Sequence, residues 1–306
     1  CVNAINQIVE DFNPDIIHSM YIVPNSFWAS TISGIPHVIT TRGSDILVEY
    51  PSNYQNLNGR LSGMKHKVMD SWVKKSLKKA SLVTSTSSQQ ARVVEKISAT
   101  DTLVLRTGIN LERIDQIMED TSPSTDHTFT IFSPRLSRPL YNIHTILEAF
   151  EQFYSEHPKS KLIVLDDPSD YFKDLRETYS DLIETGAIEI VPVLDFDELI
   201  ATYLKSDLVV MIPQSDGTPN TGLEALYCGN RLILGSAEYD AEIFNSETCT
   251  QLSSNSVDAL CEALESEVER EDDIHRKKIA QTVVSNGASL SKNLEEIVNQ
   301  YKLLIQ

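Results

Sequence analysis

Short apolar runs alternate with amphipathic stretches along most of this chain. The apolar runs suited to buried strands lie at residues 37–41, 80–84, 129–133, 161–165, 188–193 and 208–213. Between them, apolar residues recur every three or four positions, which is the spacing of a helix with one buried face. Alternation of buried strands with such helices predicts α/β domains built on parallel sheets.

One stretch combines this pattern with candidate chemistry. An apolar strand at 208–213 is followed by a polar loop, a predicted helix that ends near Gly229, and a second strand at 232–234. Thr218 is the expected N-cap and Pro219 the expected first helical residue, because proline lacks the N–H that goes unpaired there. The start of a helix presents free amides and the positive end of a dipole, so this segment predicts a phosphate site.

Two carboxylates flank this predicted phosphate site. Asp216 lies in the loop, and Glu224 follows inside the helix after seven intervening residues. A carboxylate accepts paired hydrogen bonds from neighbouring hydroxyls, so the arrangement favours a phosphorylated sugar as ligand. The alternative is a solvated loop beside an ordinary surface glutamate, which an isolated strand–helix unit does not exclude.

The segment from Asp216 to Gly229 resembles the acidic-x7-Glu signature of the family 4 retaining glycosyltransferases. Further stretches resemble that family in the same order along nearly the whole chain. The resemblance implies the GT-B fold, in which two doubly wound Rossmann-like domains face each other across a cleft. It also implies an enzyme that transfers a sugar from a UDP- or GDP-sugar to a glycan or lipid-linked acceptor, without a metal or other cofactor.

The first half carries stretches that resemble further motifs of the family. They are 14–18 (Pro-Asp-Ile-Ile-His), 42–45 (Arg-Gly-Ser-Asp) and 107–110 (Thr-Gly-Ile-Asn). The resemblance implies that Arg42, Gly43, Ser44 and Asp45 lie on the acceptor side, with Asp45 acting in catalysis. Arg42 replaces the usual histidine, which keeps hydrogen-bond donors but loses a titratable group. By its residues alone, Gly-Ser-Asp fits a turn at the end of a strand equally well.

The second half contains the cations expected to hold the donor. Arg135 aligns with an arginine that grips the donor diphosphate in the family, and arginine suits this role as a bidentate fork. The family's lysine, about five residues later, is replaced by residues 140–142, so Arg138 is the candidate second cation. Arg135 and Asp216 are the expected catalytic residues here. The predicted donor-binding residues are Arg135, Arg138, Asp216, Gly217, Thr218, Pro219, Asn220, Thr221, Gly222 and Glu224.

The expected domains follow from these motifs. We place the acceptor-side domain at residues 1–120, the nucleotide-sugar domain at 127–286, and a helix returning to the first domain at 287–306. Residues 121–126 (Thr-Ser-Pro-Ser-Thr-Asp) have the composition of a linker. The family begins with a further strand and a glycine-rich loop, so we expect the first domain to be incomplete. A non-catalytic donor-binding or scaffolding subunit is therefore the alternative function, and this chain alone is expected to be catalytically incomplete.

Charge adds a prediction about surfaces. The 306 residues carry a net charge of −18, which disfavours nucleic acid as a partner. One segment is nevertheless basic and has apolar residues at roughly helical spacing. Its cations are Arg60, Lys65, Lys67, Lys74, Lys75, Lys78 and Lys79. A basic amphipathic helix can lie on an anionic membrane, although the same pattern also fits a solvated face of a packed helix.

The four cysteines have neither disulfide-framework nor zinc spacing, and the histidines are scattered without metal-ligand spacing. No apolar run approaches the length needed to span a bilayer. We therefore expect a cytoplasmic protein without a metal site, with the inner face of the membrane as the alternative location.

Overall fold

The computed structural model describes residues 2–43, 45–47, 62–121, 128–270 and 274–306. Contacts between Cα atoms divide the chain into two compact units. The first unit comprises Cys1–Thr107 with Ser291–Gln306, and the second comprises Gly108–Leu290. Among the described helices, each is either too short or too polar to cross a bilayer.

The first unit is built on a parallel four-stranded sheet. Its strands, in spatial order, are β1 (Ile17–Met20), β2 (His37–Thr41), β3 (Leu82–Ser85) and β4 (Thr102–Val104). The helices from this part of the chain are α1 (Val2–Phe12), α2 (Phe27–Ala29), α3 (Ser62–Lys79) and α4 (Ser88–Ser98). Ile39 of β2, Val83 of β3 and Leu77 of α3 share one buried apolar cluster, so the helices cover the sheet.

The second unit contains a parallel six-stranded sheet in the order β10-β9-β8-β5-β6-β7. The strands are β5 (Phe129–Leu136), β6 (Ser160–Leu165), β7 (Ile188–Val191), β8 (Leu208–Met211), β9 (Arg231–Leu234) and β10 (Thr250–Gln251). The helices are α5 (Leu111–Asp120), α6 (Ile143–Glu156), α7 (Asp170–Thr178), α8 (Ser180–Glu184), α9 (Phe196–Leu204), α10 (Asn220–Tyr227), α11 (Val257–Glu269) and α12 (Ile274–Gly287).

The strand order of the second unit reverses direction between β5 and β8. The chain runs outward from β5 to β6 and β7, returns to β8 on the other side of β5, and continues outward to β10. In doubly wound sheets, ligands bind outside the carboxyl ends of the strands at such a reversal. The topology thus directs attention to the segments that follow β5 and β8.

Both faces of this second sheet are covered, as the apolar runs predict. Along β8, Val209 and Met211 join one apolar cluster, whereas Leu208 and Val210 join another. Successive strand residues point to opposite faces, so a run that is apolar throughout requires a packed layer on each side.

The unit boundary falls earlier than the sequence places it. Helix α5 belongs to the second unit, where Ile114 and Ile117 enter the same cluster as Ile200 of α9. The domain end predicted at residue 120 therefore lies one helix beyond the observed boundary between Thr107 and Gly108. The prediction followed the polar, linker-like composition of residues 121–126. Residues 122–126 of that expected linker lie outside the described residues.

The last helix, α13 (Leu290–Leu304), is grouped from Ser291 onward with the first unit. The Tyr301 hydroxyl hydrogen-bonds Nδ1 of His18 in β1, and Nδ2 of Asn293 donates to the Arg106 carbonyl oxygen at 2.8 Å. The end of the chain thus contacts a strand near its beginning.

Candidate functional site

The candidate site lies at the strand reversal of the second unit. Strand β5 carries Arg135 near its carboxyl end, and the loop after β8 carries Asp216. Helix α10 begins at Asn220 directly after that loop. The topology therefore brings together residues that are 81 positions apart or more only because β5 and β8 are neighbours in the sheet.

Arg135 makes three contacts at this point. Its Nη2 lies 3.5 Å from Oδ2 of Asp216, and its Nη1 donates to Oγ1 of Thr221 at 3.2 Å. Its guanidinium carbon stands 4.4 Å from the centre of the Tyr141 ring. A guanidinium held by a carboxylate, a hydroxyl and an aromatic face has a fixed orientation, which suits recognition of a planar or doubly charged anion.

Helix α10 starts one residue later than predicted. Pro219 is the N-cap, and no side chain caps the helix there. Thr218, the predicted N-cap, instead directs its hydroxyl to Oδ2 of the buried Asp240, at 3.4 Å. The amides of Asn220 and Thr221 open the helix, where a backbone N–H has no intrahelical acceptor.

The loop carboxylate Asp216 is largely buried, with its side chain 17% exposed. Its Oδ1 accepts the Gly217 amide at 2.8 Å, while Oδ2 faces Arg135. Burial raises the pKa of Asp216, and the charge of Arg135 opposes that rise. This acid is thus held between a cation and a backbone amide.

Glu224 is the least satisfied group of the site. It is 7% exposed, and its Oε2 is buried without a hydrogen-bond partner in the described part of the chain. Burial raises the pKa of Glu224 to about 7, and the nearby Arg135 opposes that shift. A buried carboxylate oxygen with free acceptor capacity is a place where ligand hydroxyls can donate.

Gly222 within α10 and Gly229 after its end have separate structural explanations. A Cβ on Gly222 would lie 3.0 Å from Cε of Met211 and 3.1 Å from Cε1 of Phe244, so this glycine allows the helix to pack closely on the core. Gly229, at φ +84°, follows the helix in the left-handed conformation, which confirms the helix end predicted there.

Arg138, the predicted second cation, is paired on its inner side. Its Nε donates to Oδ2 of Asp167 at 2.6 Å. The Arg138 side chain is 55% exposed, whereas that of Asp167 is 2% exposed. The guanidinium therefore lies at the surface, anchored by a buried acid in the turn after β6.

In the first unit, the structure gives Asp45 a bracing position. Asp45 is 1% exposed, with Oδ2 accepting the Ile22 amide and Oδ1 the Arg42 amide, both at 2.9 Å. The pKa of Asp45 is raised by burial, and these backbone hydrogen bonds oppose part of that rise. Both oxygens thus accept backbone hydrogen bonds that brace the loop, and the catalytic role expected of Asp45 stays a prediction.

The rest of that loop presents different features. The side chain of Arg42 is exposed, and Gly43 has φ +110°, a conformation that L-residues rarely adopt. Ser44 lies outside the described residues. The loop therefore combines an exposed guanidinium with a glycine that its backbone requires.

Three residues near the donor segments escaped the sequence analysis. Tyr141 lies under Arg135, Asp167 holds Arg138, and Tyr203 donates its hydroxyl to the Thr221 carbonyl oxygen at 3.1 Å. Each contact joins residues from separate elements, so the spacing of residues along the sequence does not predict it. The replacement of the family's lysine by residues 140–142 was the one signal that pointed to Tyr141. Across the described ranges, no group of three His, Cys, Asp or Glu side chains could hold a metal.

The fold places this candidate site at the strand reversal of a doubly wound α/β unit, and comparisons with known proteins identify the family. The model described as "Glycosyl transferases group 1" matches residues 113–283, and that of "Glycosyltransferase Family 4" matches residues 1–113. The chain belongs to the glycosyl transferases group 1 family.

Among individual proteins, the chain is similar to TuaC of Bacillus subtilis, assigned as a teichuronic acid biosynthesis glycosyltransferase. They are 27% identical over 264 residues, which cover 83% of this chain and 61% of TuaC. The chain thus spans about three fifths of the length of this curated relative.

Solved structures confirm the predicted GT-B fold class. A glycosyltransferase from Rickettsia africae matches with a TM-score of 0.76 and 17% identity, over 100% of this chain and 80% of that one. Anabaena HepE in complex with UDP matches with a TM-score of 0.76 and 15% identity, over 98% and 81% of the two chains. Sucrose-phosphate synthase from Thermosynechococcus elongatus matches with a TM-score of 0.75 and 16% identity, over 99% of this chain and 77% of that one.

Proposed function

We propose that this protein transfers a sugar from a nucleotide-sugar donor to a glycan or lipid-linked acceptor, with retention of configuration and without a metal. The observation that carries this proposal is the buried Glu224 carboxylate, whose Oε2 has no partner in the described structure, beside Arg135 at the strand reversal. Membership of the glycosyl transferases group 1 family and the UDP bound to the structurally similar HepE support the same donor class.

Different residues of the second unit bind different parts of the donor. Arg135 and the amides that open α10 hold the diphosphate, since both supply hydrogen-bond donors and positive charge. Glu224 accepts the ribose hydroxyls, and Asp216 accepts hydroxyls of the donor sugar. Arg135 has the catalytic role, because it stabilises the negative charge that develops on the departing diphosphate.

The reaction exchanges one C–O bond for another. The bond from the anomeric carbon to the phosphate oxygen breaks, and its electron pair leaves with the diphosphate. The acceptor hydroxyl oxygen forms the new glycosidic bond on the same face, and its proton passes to the departing phosphate oxygen. We assign no protein nucleophile, and we assign residues 42–45 of the first unit to the acceptor, with Asp45 bracing the loop.

Nucleotide titration tests the donor site. UDP and GDP are titrated calorimetrically into the full-length protein and into Arg135→Ala and Glu224→Gln. We expect each substitution to weaken binding of the preferred nucleotide about 10- to 100-fold, the effect of one charged hydrogen bond. Arg113→Ala and Glu148→Gln change the same groups at exposed helix positions and serve as controls. Affinity that is unchanged in both site variants would refute the assignment.

Retention of configuration and metal independence can be tested only in a reaction that forms product. The anomeric configuration of the product is read by NMR, and the rate is compared with and without a chelator. An inverted product would contradict retention, and loss of activity in chelator that added metal restores would contradict metal independence. Tight nucleotide binding without turnover in any acceptor mixture would favour the non-catalytic donor-binding subunit.

A surface on α3 favours a lipid-linked acceptor at the cytoplasmic face of a membrane. Val68 and Trp72 are 42% and 40% exposed, and the Trp72 ring stacks on Phe27 at 4.3 Å. The exposed Lys75 and Lys79 follow on the same helix stripe, at positions i+7 and i+11 from Val68. Exposed aromatic and basic groups on one stripe suit the anionic interface of a bilayer, although the chain's net charge is −18.

Flotation with liposomes tests this contact. We expect the protein to float with vesicles containing phosphatidylglycerol and not with pure phosphatidylcholine. Lys75→Glu with Lys79→Glu should abolish flotation, whereas Lys159→Glu with Lys278→Glu, the same charge change elsewhere on the surface, should not. Lys74 is left unchanged because it pairs with Asp70 at 2.9 Å. Equal loss in both double variants would leave only a general charge effect and end the proposal.

A further inference from the structure

The turn after β6 holds an acid whose position is unusual for a surface loop. Asp167 directly follows Asp166 in the sequence, yet its side chain is 2% exposed while that of Asp166 is 45% exposed. Oδ1 of Asp167 accepts the Ser169 amide at 3.1 Å, and Oδ2 accepts Nε of Arg138 at 2.6 Å. The buried carboxylate is therefore fixed on one side by the backbone and on the other by Arg138.

This arrangement keeps the acid charged. Hydrogen bonding by Ser169 and Arg138 lowers the pKa of Asp167. Helix α7 begins three residues later, at Asp170, and the positive end of a helix dipole also favours a carboxylate. Part of the Asp167 charge is thus compensated by backbone groups, so Arg138 is not needed to neutralise it alone.

The contact uses only one nitrogen of Arg138. Asp167 takes Nε, and the structure records no further contact of this guanidinium among the described residues. An arginine bound through Nε keeps its two Nη groups, which form the fork that binds phosphate. With 55% of its side chain exposed, Arg138 offers that fork to a ligand.

Tyr141 connects Arg138 to the donor site. Its ring lies 4.4 Å under the Arg135 guanidinium, and its amide donates to the Arg138 carbonyl oxygen at 3.0 Å. Asp167 chiefly, and Tyr141 to a smaller extent, raise the pKa of Arg138. Tyr141 therefore contacts the Arg135 guanidinium through its ring and the Arg138 backbone through its amide.

The charges of the site explain why a second cation is needed. Arg135 faces Asp216, and also Glu224 when that acid is ionised, so its single positive charge is already balanced or outnumbered before any ligand binds. A nucleoside diphosphate adds at least two negative charges to this place. One guanidinium cannot balance them, and the next cation along the chain is Arg138.

We propose that Asp167 is a positioning residue that holds Arg138 as the second cation for the donor diphosphate. This inference rests on the proposed donor site of the second unit. Asp167 orients the guanidinium through Nε, and the two Nη groups bind the phosphate that Arg135 leaves uncompensated. Asp167 itself does not touch the ligand.

Calorimetric titration of UDP, UMP and uridine into the full-length protein tests this role. We expect Arg138→Ala to weaken UDP binding about 10- to 100-fold, and Asp167→Asn about three- to tenfold. Uridine binding should be unchanged in both variants, because the cation acts on phosphate. The double variant should bind UDP no more weakly than Arg138→Ala alone, since Asp167 acts only through Arg138.

The neighbouring acid supplies a matched control. Oδ1 of Asp166 accepts from Nη1 of Arg176 at 3.3 Å and from the Asp167 amide at 2.9 Å, and the side-chain oxygen of an asparagine can accept both of these hydrogen bonds. Asp166→Asn should therefore leave UDP affinity unchanged. Asp167→Glu keeps the charge but moves it, so it should weaken UDP binding while preserving the fold; this variant replaces Asp167→Asn if the latter does not fold.

The outcomes separate this inference from the donor site itself. If Arg135→Ala and Glu224→Gln weaken UDP binding while Asp167→Asn and Asp167→Glu do not, the positioning role is refuted and the donor site stands. Equal weakening for uridine and UDP in Arg138→Ala would place this arginine at the base and also refute the role. If UDP, GDP and ADP all fail to bind the unaltered protein, both proposals fall.

Discussion

Glu224 is a carboxyl group that the fold shields from water while leaving Oε2 without a hydrogen-bond partner among the described residues. Such a group destabilises the protein whenever it is ionised, because burial disfavours the charged form. Its retention inside α10 is expected only if a ligand gains from it. This makes its contribution to stability and its contribution to binding opposite in sign.

We therefore expect the stability of the unliganded protein to fall as pH rises through the titration of Glu224. Its pKa is raised from 4.5 to about 7, so the carboxyl is neutral in the folded and unfolded states below pH 4.5, and stability falls as pH rises from 4.5 through 7. Glu224→Gln should match the parent protein at pH 4 and exceed it at pH 8 by up to about 3 kcal/mol. Urea unfolding at both pH values measures this, and equal stability at pH 8 would contradict the burial argument.

Asp45 supplies a prediction of the opposite kind. Asp45→Asn replaces one acceptor oxygen by an NH₂ group that faces the amide of Ile22 or Arg42, so we expect a loss of roughly 1–3 kcal/mol in stability. Thermal unfolding of the first unit measures it. Unchanged stability together with abolished turnover would instead support the catalytic role expected of Asp45.

At the scale of single elements, close backbone approaches decide which substitutions are tolerated. The chain enters the second unit at Gly108 and leaves it at Leu290, and Ile109 pairs with Ser289 in a parallel bridge. The sequence indicated a turn at 107–110 through its resemblance to a family motif. What it could not show is that another segment, about 180 residues later, passes directly against that turn.

Gly108→Ala should therefore destabilise the protein by more than the cost of its backbone conformation alone. Gly108 has φ +76°, and an added Cβ would lie 2.8 Å from the Leu290 amide nitrogen. Gly186, at φ +79° with nothing within 4 Å, is the matched control. We expect the free energy of unfolding to fall by about 1 kcal/mol in Gly186→Ala and by at least about 2 kcal/mol in Gly108→Ala. Equal losses in chemical unfolding would show that the crossing segments separate without cost.

At the scale of the whole molecule, the chain forms two units, and its last helix returns to the first of them. The Tyr301 hydroxyl hydrogen-bonds His18, while the Tyr227 hydroxyl donates to Oδ1 of Asp115 at 2.8 Å within the second unit. Removing each tyrosine hydroxyl should therefore lower the local stability of a different unit. Hydrogen exchange can distinguish the two effects because it measures stability segment by segment.

We expect Tyr301→Phe to lower protection of β1 and β2 by about 1 kcal/mol, and Tyr227→Phe to lower protection of α5 and α10 by a similar amount. The two substitutions remove the same hydroxyl from different units, so each is the control for the other. Hydrogen exchange with mass spectrometry measures both. An effect of Tyr301→Phe confined to the second unit would contradict the assignment of α13 to the first.

The sequence by itself determined the alternating strands and helices, the α/β class with parallel sheets, and the grouping of Asp216 and Glu224 around the start of one helix. These features depend on periodicity and spacing within a short segment, which local geometry translates directly into structure. Arg135 was also found from the sequence, although by resemblance and not by spacing.

Only the tertiary structure decided which polar groups meet. Asp45 meets the Ile22 amide, Asp167 meets Arg138, and the end of α13 meets β1, each across different elements. An acid has the same appearance in a sequence whether it faces solvent, braces a loop or orients an arginine. Its partners are set by how strands are ordered in the sheets, and that order depends on packing between residues far apart in the chain.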